Sequence, residues 1–527
     1  MYQNPRLKEC PTCSSTRLHY MFSIEKHRTV KCENCGIMLL NPQPSNAELA
    51  EKYTEGYFLN TKETALLKSK TAELYLEKLK TTGKLLEIGC GDGYLLEVAE
   101  QKGWEVTGVE YSADACEKAR QKLKRGKVQQ GELIDAKLPE NHYDACIIAD
   151  VIEHVRDIRS FLTEIHRVLK PNGALVIATP STDSWSARLM RDKWMEFKPE
   201  HLTYFNSSTL RTALFNAGFI NTKIESGWKI LNIEYIRLHF EKFQIRGISP
   251  LVRTLCQFLP TRLQKIPFKI VASGIVSVSQ KGETPKNKIS VIVAAYNEEN
   301  TIKEVVDTIL AKKINNLETE LILVESGSTD TTRDIIKSYA DCSNVKIVLQ
   351  DTPKGKGNAI RAGLKVATGE YILIQDADLE YDFEDYDPLL EPLLSKRKTF
   401  VLGARHGGKN IWKLRQFDQQ KLTSTFLNLG HIFFATLVNV LFMQKLRDPF
   451  TMYKVFRRDC IDCTTLVCNK FDFDYELLIK IIRNGHQPIE IPVNYKSRSF
   501  KEGKKVNVIS DPINWLITIA KLRLNRL

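Results

Sequence analysis

The chain has no long uninterrupted apolar run and no low-complexity segment, and its acidic residues are outnumbered by its basic ones. Its longest apolar stretch, Leu427–Met443, spans 17 residues and is interrupted by Asn428, His431 and Asn439. A membrane-spanning helix needs about 20 apolar residues, so we expect a buried or interfacial helix here. No apolar segment follows Met1, so a secretory signal is not expected.

The composition indicates a soluble globular protein of several domains. Hydrophobic residues make up 43% and charged residues 26% of the 527 positions, and about 150 residues per domain suggests three or four units. Twelve cysteines without a secretory signal favour metal ligands and reduced thiols, which indicates the cytoplasm. The net charge of +13 favours phosphate-bearing partners or an anionic membrane face.

Two alternations of strand-like and helix-like segments divide the sequence. The first runs from about Leu74 to Gln280 and includes KLLEIG, WEVTGVE, YDACIIA and GALVIAT. The second begins at Ile289 and includes ISVIVAAY, ELILVE, NVKIVLQ and EYILIQDAD. This alternation is typical of α/β domains with mostly parallel sheets. The polar segment 282–287 between them is expected to be a linker.

Residues 1–44 contain two C-x-x-C pairs at the spacing of a zinc ribbon. The four cysteines are Cys10, Cys13, Cys32 and Cys35. Each tight turn points two thiolates at one ion, so we expect a closed, structural four-thiolate zinc site. Cys460 and Cys463 have no second pair and are expected to be ordinary thiols. The ribbon lacks the interleaved aromatic and basic residues of a nucleic-acid surface, so such a partner is not expected.

A glycine-rich turn follows the first strand of the first α/β segment. Gly89, Gly91 and Gly93 permit positive φ and close approach of the backbone to a ligand. The strand ends in Glu87, an acid that suits an amino group better than a pyrophosphate. The next strand ends in Glu110, which is positioned to accept hydrogen bonds from ribose hydroxyls.

With DVIEHV, FLTEIHRVLKPNGALVIATPS and EFKPEHLTYF, the segment 45–281 resembles the class I S-adenosylmethionine-dependent methyltransferases. The resemblance implies a Rossmann-like fold and a methyl-donor site. The cofactor-binding residues that it implies are Glu87, Gly89, Gly91, Gly93, Glu110, Glu132 and Leu133, the last two beside the adenine. It also places His201 and Tyr204 over the methyl group.

The run Asp150-Val-Ile-Glu153-His154 has two interpretations. Its acids and histidine share a helical face and could bind a divalent ion or act as a base. A capping box formed by Asp150 and Glu153 is favoured, which leaves His154 as the candidate base. The later segment 228–269 is expected to be a helical, basic insertion that serves as a packed cap, a lid or a membrane-surface element.

Acidic residues end the strands of the second α/β segment. Tyr296, Glu298 and Glu325 suit the base and ribose hydroxyls of a nucleotide. Asp376 and Asp378 follow the apolar strand YILIQ. Oxygen-only ligands select Mg²⁺ or Mn²⁺, which would neutralise a diphosphate leaving group.

With GKGNAIRAGLKVATGEY, DADLEYD, VLGAR and PFTMYKVFRRD, the segment 288–508 resembles the family 2 glycosyltransferases with a GT-A fold. Within them it is most similar to polyprenyl-phosphate sugar transferases of the dolichol-phosphate mannose type. The resemblance implies that Asp376, Asp378 and Glu380 hold metal and sugar diphosphate. It further implies that Lys356 orients the donor and that Arg405 and Arg498 grip phosphate. The sequence Val324–Ser328 departs from the usual V-D-D-G-S, and Glu380 stands where glutamine is common.

The acceptor is either a lipid phosphate or a sugar hydroxyl. A hydroxyl needs a carboxylate base, for which Asp472, Asp474 and Glu476 are candidates, whereas a phosphate is already anionic and needs cations. The basic loop 494–506, with Arg498, and the amphipathic helix expected over 509–527 favour the lipid phosphate and a peripheral position on the inner membrane face.

These observations predict a bifunctional methyltransferase and inverting glycosyltransferase of cell-surface glycan biosynthesis. Its expected ligands are S-adenosylmethionine, a nucleotide sugar, structural zinc and Mg²⁺ or Mn²⁺. Two alternatives are a first α/β domain that acts only as a scaffold and a nucleic-acid methyltransferase, which would bind with strong salt dependence.

Overall fold

The computed structural model describes most of the chain and divides it into two compact units. The described residues are 6–52, 62–242, 250, 254, 256, 259–282, 287–395, 397–405, 421–484, 486–496 and 510–524. The first unit comprises Met1–Thr284 and the second Pro285–Leu527. The boundary falls within 282–287, where the sequence predicts a linker.

The first unit contains two sheets with helices between their strands. Its strands are β1 (Leu18–Ile24), β2 (His27–Cys32), β3 (Met38–Leu40), β4 (Lys84–Ile88), β5 (Glu105–Glu110), β6 (Lys127–Gln130), β7 (Tyr143–Ala149), β8 (Leu169–Pro180), β9 (Thr203–Tyr204), β10 (Phe219–Leu231) and β11 (Phe268–Lys281). Its helices are α1 (Asn46–Lys52), α2 (Lys62–Leu76), α3 (Tyr94–Gln101), α4 (Ala113–Lys122), α5 (Ile158–Val168), α6 (Trp185–Met190), α7 (Ser207–Asn216), α8 (Ile233–Lys242) and α9 (Thr261–Gln264).

The small antiparallel sheet has the order β1-β2-β3-β9. Met38 pairs with Tyr204 and Leu39 with Thr203, so the N-terminal ribbon continues into a strand from much later in the chain. Cys10, Cys32 and Leu39 belong to the same apolar core as the strands and helices that follow. The ribbon and the first α/β fold therefore stabilise one another.

The large sheet of the first unit has the order β10-β11-β8-β7-β4-β5-β6. Strands β4 to β8 run parallel, and β11 pairs antiparallel with both β8 and β10. The strands are apolar on both faces because helices cover both; Leu86 and Ile147, for example, are fully buried. This confirms the predicted Rossmann-like α/β class. The carboxyl ends of β4, β5 and β7 meet at one edge of the sheet.

Among its described residues, the segment 228–269 contains helices α8 and α9 but is extended at both ends. Trp228 and the three residues after it belong to β10, where Trp228 pairs with Val271, and Phe268 begins β11. The prediction of a wholly helical insertion is wrong at both ends. Alternation in WKIL places these residues in a long hairpin, and tertiary pairing there decides their structure.

The second unit is built on one mixed sheet. Its strands are β12 (Lys288–Ala295), β13 (Glu318–Glu325), β14 (Val345–Leu349), β15 (Tyr371–Asp376), β16 (Phe400–Ala404), β17 (Lys454–Arg457) and β18 (Ile489–Pro492). Its helices are α10 (Ile302–Ala311), α11 (Thr332–Lys337), α12 (Lys356–Val366), α13 (Tyr386–Leu394), α14 (Lys421–Phe442), α15 (Phe473–Arg483) and α16 (Ser510–Arg523).

The strand order of this sheet is β14-β13-β12-β15-β17-β16-β18. Strands β12 to β15 are parallel, whereas β17 is antiparallel to both β15 and β16. Parallel pairing brings the ends of β12, β13 and β15 together, because Ala295 pairs with Glu325 and Ala294 with Asp376. The predicted α/β class is confirmed for this unit as well.

Helix α14 contains all but the last residue, Met443, of the apolar stretch that the sequence singled out. Its polar interruptions have packing roles: the side-chain amide of Asn439 exchanges hydrogen bonds with the backbone of Leu446, and Asn428 and His431 are buried. One face is buried through Val438, while Val440 lies on an exposed face. Within the described part of the chain, no helix is long and apolar enough to cross a membrane.

Candidate active sites

The glycine turn of the first unit lies at the carboxyl end of β4. Gly89, Gly91 and Gly93 all have positive φ, at 70°, 50° and 77°. No atom lies within 4 Å of the place where a Cβ on Gly91 would stand, so its backbone borders open space. Because side chains rarely adopt this conformation, glycine permits both the turn and the close approach of a ligand.

Two predicted cofactor carboxylates flank this turn. Glu110, at the end of β5, accepts hydrogen bonds from the backbone N–H groups of Gly91 and Ser112, both at 2.9 Å. Glu87 is buried, and its Oε2 atom has no hydrogen-bond partner. Burial, and after it the charge of Glu110, raise the pKa of Glu87 well above its usual value. A cationic amino group at Glu87 would remove that desolvation cost.

The residues predicted to flank adenine differ in exposure. Glu132 is exposed, whereas Leu133 is buried in the apolar core. Sequence reasoning missed Tyr111, which directly follows Glu110 and is 76% exposed. An aromatic residue immediately after a strand-ending acid is the signal that was available, since an exposed ring at this edge can stack on a base.

The structure overturns the predicted capping box at Asp150 and Glu153. The short 3₁₀ helix Ile152–His154 has no side-chain cap, and Asp150 forms an ion pair with Lys229, 2.8 Å apart. Glu153 is buried and accepts a hydrogen bond from the hydroxyl of Thr179 at 3.0 Å. Burial, and then the charge of Asp150, raise the pKa of Glu153 to about 8. Side chains from two other strands, Thr179 on β8 and Lys229 on β10, therefore decide the roles of both acids.

The two predicted catalytic histidines lie together. The rings of His154 and His201 are 4.8 Å apart and packed edge to face. Leu202 donates its backbone N–H to the carbonyl of Glu153 at 2.8 Å, which holds the second histidine's loop against the first. Burial lowers the pKa of His154, and burial followed by the charge of His154 lowers the pKa of His201 to about 4. A catalytic role for either ring stays a prediction.

The four ribbon cysteines form one cluster whose geometry fits a tetrahedral zinc ion. The Sγ atoms of Cys10 and Cys35 are 3.5 Å apart, and those of Cys13 and Cys32 are 3.6 Å apart. Zn–S bonds of about 2.3 Å place tetrahedral sulfur atoms roughly 3.8 Å apart. These residues would therefore hold structural zinc. Cys460, by contrast, donates its thiol to the carbonyl of Thr399, as an ordinary buried thiol does.

The predicted donor site of the second unit is an edge of acidic strand ends. The residues after β12 are held against those after β13, because Asn297 accepts a hydrogen bond from the backbone of Thr329 at 2.8 Å. Tyr296 and Glu298 are half-buried within this loop. The hydroxyl of Thr301 donates to the carbonyl of Ala377 at 2.8 Å. Hydrogen bonds thus join the loop after β12, which carries Tyr296 and Glu298, to the loop after β13 and to the segment of Asp376 and Asp378.

Glu325 has partners that the sequence did not predict. It is fully buried, and it accepts hydrogen bonds from the backbone of Ser328 and the guanidinium of Arg333, both at 2.5 Å. Burial would raise the pKa of Glu325, but Ser328 and Arg333 lower it. Both oxygens therefore stabilise the turn, and nucleotide binding by Glu325 stays a prediction.

Lys356, at the start of helix α12, lies beside the carboxylates at the end of strand β15. Its ammonium forms an ion pair with Asp376 at the end of β15, and Asp378 lies buried just beyond. Burial alone would lower the pKa of Lys356, but the charges of Asp376 and Asp474 raise it. The lysine is thus a fixed cation at the place where the donor diphosphate is expected.

Glu380, the third predicted metal ligand, has a different set of contacts. Its Oε2 accepts a hydrogen bond from the hydroxyl of Tyr495 at 2.8 Å, and its backbone N–H donates to Asp378 at 3.1 Å. Among the described residues, Asp376, Asp378 and Glu380 are not a group whose ligand atoms all lie within 4.8 Å of one another. A Mg²⁺ or Mn²⁺ site here stays a prediction.

Of the two arginines predicted to bind phosphate, the structure describes Arg405 but not Arg498. Arg405 is buried against Asp448, with Nε and Nη2 at 2.8 Å and 2.7 Å from its carboxylate, and it stacks over the ring of Tyr495. Phosphate binding by Arg405 stays a prediction, and Asp448 fixes its guanidinium. Arg498 and the loop lysines after it lie outside the described residues.

The three candidate bases at the start of helix α15 (Asp472, Asp474 and Glu476) all have partners. Glu476 is fully buried and accepts from the backbone of Val467 and Cys468. Asp474 accepts from the buried ammonium of Lys454 at 2.8 Å. Asp472 accepts a hydrogen bond from Thr518, which lies on helix α16. Each of the three acids therefore accepts a hydrogen bond that helps to hold the local structure.

Two family matches cover the two α/β folds. Residues 59–224 match the family described as Methyltransferase domain. Residues 290–465 match the family described as Glycosyl transferase family 2. Each match lies inside one of the two compact units.

The relatives of the chain divide in the same way. A dolichyl-phosphate beta-glucosyltransferase of Dictyostelium discoideum is 26% identical over 257 residues, which are 47% of this chain and 77% of that protein. A Mycobacterium tuberculosis protein named "Probable S-adenosylmethionine-dependent methyltransferase" is 32% identical over 141 residues, which are 27% of this chain and 50% of that protein. The match therefore spans about half the length of this methyltransferase relative.

Among solved structures, a SAM dependent methyltransferase from Archaeoglobus fulgidus is 21% identical, with a TM-score of 0.30. The similarity covers 45% of this chain and 100% of that one. The family matches, together with the two α/β sheets, show an enzyme that joins a methyltransferase domain to a glycosyl transferase family 2 domain.

Proposed function

We propose that the second unit transfers a sugar, with inversion, from a nucleotide sugar to a polyprenyl phosphate. The single observation that carries this proposal is the ion pair of Lys356 with Asp376 at the carboxyl edge of the sheet. A carboxylate and a cation placed together there suit a metal-bound diphosphate. The likeness to a dolichyl-phosphate beta-glucosyltransferase supports a lipid phosphate as acceptor.

The acceptor's own chemistry favours phosphate over hydroxyl. A hydroxyl must lose its proton to a nearby base, whereas a lipid monophosphate has a second pKa of about 6 and is largely dianionic at neutral pH. The candidate bases Asp472, Asp474 and Glu476 each accept hydrogen bonds from neighbouring groups. An acceptor that needs no base is consistent with this arrangement.

The expected divalent ion would be held by carboxylates alone. Asp376, Asp378 and Glu380 supply the hard oxygen donors that Mg²⁺ and Mn²⁺ prefer. When bound, the ion would neutralise charge on the diphosphate leaving group. Lys356 would remain near the same phosphates, and Arg405 and Arg498 would bind phosphate oxygens with their guanidinium groups.

A peripheral position on the inner membrane face accords with two exposed helix faces of the second unit. Among the described side chains, the exposed apolar ones on α14 are Leu429, Phe433 and Val440, and the exposed Met443 follows the helix directly. On α16 they are Ile513, Leu516 and Ile517, with Lys521 and Arg523 at the helix end and the exposed Leu524 directly after it. Apolar side chains beside basic ones are typical of helices that bind anionic membrane surfaces. Cell-surface glycan biosynthesis is the expected setting.

For the first unit, we propose methyl transfer from S-adenosylmethionine. Glu87 would bind the amino group of the donor and Glu110 its ribose, with Tyr111 beside the base. The buried, unpartnered oxygen of Glu87 is the feature that supports this assignment. Both activities on one polypeptide suggest that they act on one glycan or lipid-linked sugar.

A scaffold role is the second candidate for the first unit. A titration with S-adenosylmethionine separates the two, because a catalytic unit binds the cofactor and a scaffold does not. We expect Glu87→Gln to weaken binding by about tenfold or more, since it loses a charged contact. Glu105→Gln, which changes an exposed glutamate on β5, is the matched control and should bind normally. No measurable affinity in the unaltered protein would support the scaffold.

The acceptor is tested by offering polyprenyl phosphate and a free oligosaccharide together with Mn²⁺ and radiolabelled UDP- or GDP-hexoses. The proposal expects label in the organic phase. Label confined to the oligosaccharide would instead support glycosyl transfer to a hydroxyl, the alternative in which Asp472, Asp474 or Glu476 would act as the base.

A further inference from the structure

One carboxylate and two imidazoles meet in the first unit, away from the ribbon cysteines. The residues are Glu153, His154 and His201, and a ligand atom of each lies within 4.8 Å of those of the other two. Glu153 and His201 are only 2% and 5% exposed. Among the described residues, the only other group of this kind is the four-cysteine cluster.

The Glu153 carboxylate is satisfied on one oxygen only. Oε2 accepts a hydrogen bond from the hydroxyl of Thr179, whereas Oε1 is buried without a hydrogen-bond partner. An unpaired buried carboxylate oxygen is costly, so such atoms in native proteins indicate a bound ion, water or proton. This oxygen is the second, independent sign of a ligand.

Both imidazoles are oriented by backbone carbonyls. Nδ1 of His154 donates to the carbonyl of Glu200, and Nδ1 of His201 donates to the carbonyl of Glu196, each at 2.8 Å. A carbonyl only accepts, so Nδ1 carries the proton, and in the neutral ring the lone pair resides on Nε2. Histidines that bind metals are commonly oriented in this manner.

We infer that Glu153, His154 and His201 bind a divalent transition-metal ion such as zinc or iron(II). Two imidazoles and one carboxylate form a donor set typical of both metals, and three protein ligands leave at least one position for an oxygen ligand. Spacing in the sequence suggested Asp150 as a ligand, but Asp150 pairs with Lys229 and His201 takes its place.

The location makes the site relevant to methyl transfer. A Cβ on Gly89 would lie 2.3 Å from Cγ2 of Val151, so the glycine turn packs directly against the residue that precedes the 3₁₀ helix. The open position of the ion would thus take a hydroxyl of the methyl acceptor and lower its pKa. This last step rests on the proposed methyl transfer, whereas metal binding does not.

Metal content of the full chain tests the site without any activity assay. Protein loaded with zinc and desalted should hold two equivalents, one in the ribbon and one at this site. Glu153→Gln and His201→Gln should each hold one. His166→Gln is the matched control. His166 forms a hydrogen bond with the carbonyl of Gly282 at 2.9 Å and is not a member of the Glu153–His154–His201 group.

Cobalt absorption distinguishes the two sites by their ligands, and it can be measured on the unaltered protein. Co²⁺ added to protein whose ribbon already holds zinc should give d–d absorption without the thiolate charge-transfer band of a cysteine site. Glu153→Gln should weaken this Co²⁺ binding by about 10- to 100-fold. One zinc equivalent and no cobalt band in the unaltered protein would overturn the assignment. So would Co²⁺ affinity that Glu153→Gln leaves unchanged.

Discussion

The ammonium of Lys356 is paired with the carboxylate of Asp376, joining the start of helix α12 to the end of strand β15. Without donor or metal, each group neutralises the other. When a divalent ion and a diphosphate bind, Asp376 would pair with the ion and Lys356 with the diphosphate. The ion pair would therefore be replaced on donor binding and is not needed permanently for stability.

Replacing Lys356 with methionine should therefore reduce sugar transfer by about 100-fold, because a preorganised cation at the diphosphate is lost. The KM for the nucleotide sugar should rise as well. Lys303→Met is the control, since that lysine is 70% exposed and forms an ion pair with Asp307 on its own helix. Transfer that is unchanged in Lys356→Met would remove this residue from the site.

Arg498 should be needed for sugar transfer and dispensable for methyl-donor binding. Its place in the basic loop after β18 and the resemblance to polyprenyl-phosphate transferases motivate the choice. We expect Arg498→Ala to lower transfer by about 100-fold or more through loss of a phosphate contact. A titration with S-adenosylmethionine should give the unaltered affinity. Full transfer activity in the variant would refute the assignment.

Loss of the ribbon zinc should destabilise the first unit and loosen the loop that carries His201. Cys32 belongs to the shared apolar core, and β3 pairs directly with β9, which begins two residues after His201. Cys32→Ser should lose one zinc equivalent, lower Tm and speed amide hydrogen exchange over 200–205. Cys342→Ser, in the second unit, should do none of these. Unchanged exchange in Cys32→Ser would show that the ribbon is independent of that loop.

The buried Glu320 should contribute stability that depends on pH. Burial would raise the pKa of Glu320, but hydrogen bonds from Thr368, Lys288 and Lys346 lower it to about 2. A folded-state pKa below the unfolded value stabilises the protein above pH 4.5, and that contribution disappears as the pH falls toward 2. The shift corresponds to about 3 kcal/mol at neutral pH.

Thermal unfolding of Glu320→Gln should show a deficit at pH 7 that shrinks as the pH is lowered below about 4.5. Glu318→Gln provides the comparison, because Glu318 lies on the same strand but is 66% exposed. Its effect should be within about 0.5 kcal/mol at every pH. A deficit in Glu320→Gln that does not change with pH would contradict this account.

Much of the architecture follows from local patterns. Alternating apolar segments predict both sheets, and the glycine turn and strand-ending acids Glu87, Glu110 and Asp376 lie at the carboxyl edges where such residues are expected. These features could be predicted because each depends on a short stretch of chain and on the geometry of parallel strands.

Other features depend on pairings between distant segments and could not be predicted. The roles of Asp150 and Glu153 are decided by Lys229 and Thr179, which belong to other strands. The loop of His201 lies against Glu153 because the backbone N–H of Leu202 donates to the carbonyl of Glu153, far away in the sequence. Burial of Glu325 against Arg333 similarly depends on how the following helix packs. In each case tertiary contacts outweigh local spacing.

The most direct test of the central claim is the mass of the lipid product. Purified protein would be incubated with a defined polyprenyl phosphate, a free oligosaccharide, Mn²⁺ and a panel of nucleotide hexoses, and both the organic and the aqueous phase would be analysed by mass spectrometry. The lipid should gain a single hexosyl residue, linked through its phosphate and released by mild acid. A lipid of unchanged mass, with the hexose attached instead to a glycan hydroxyl, would contradict it.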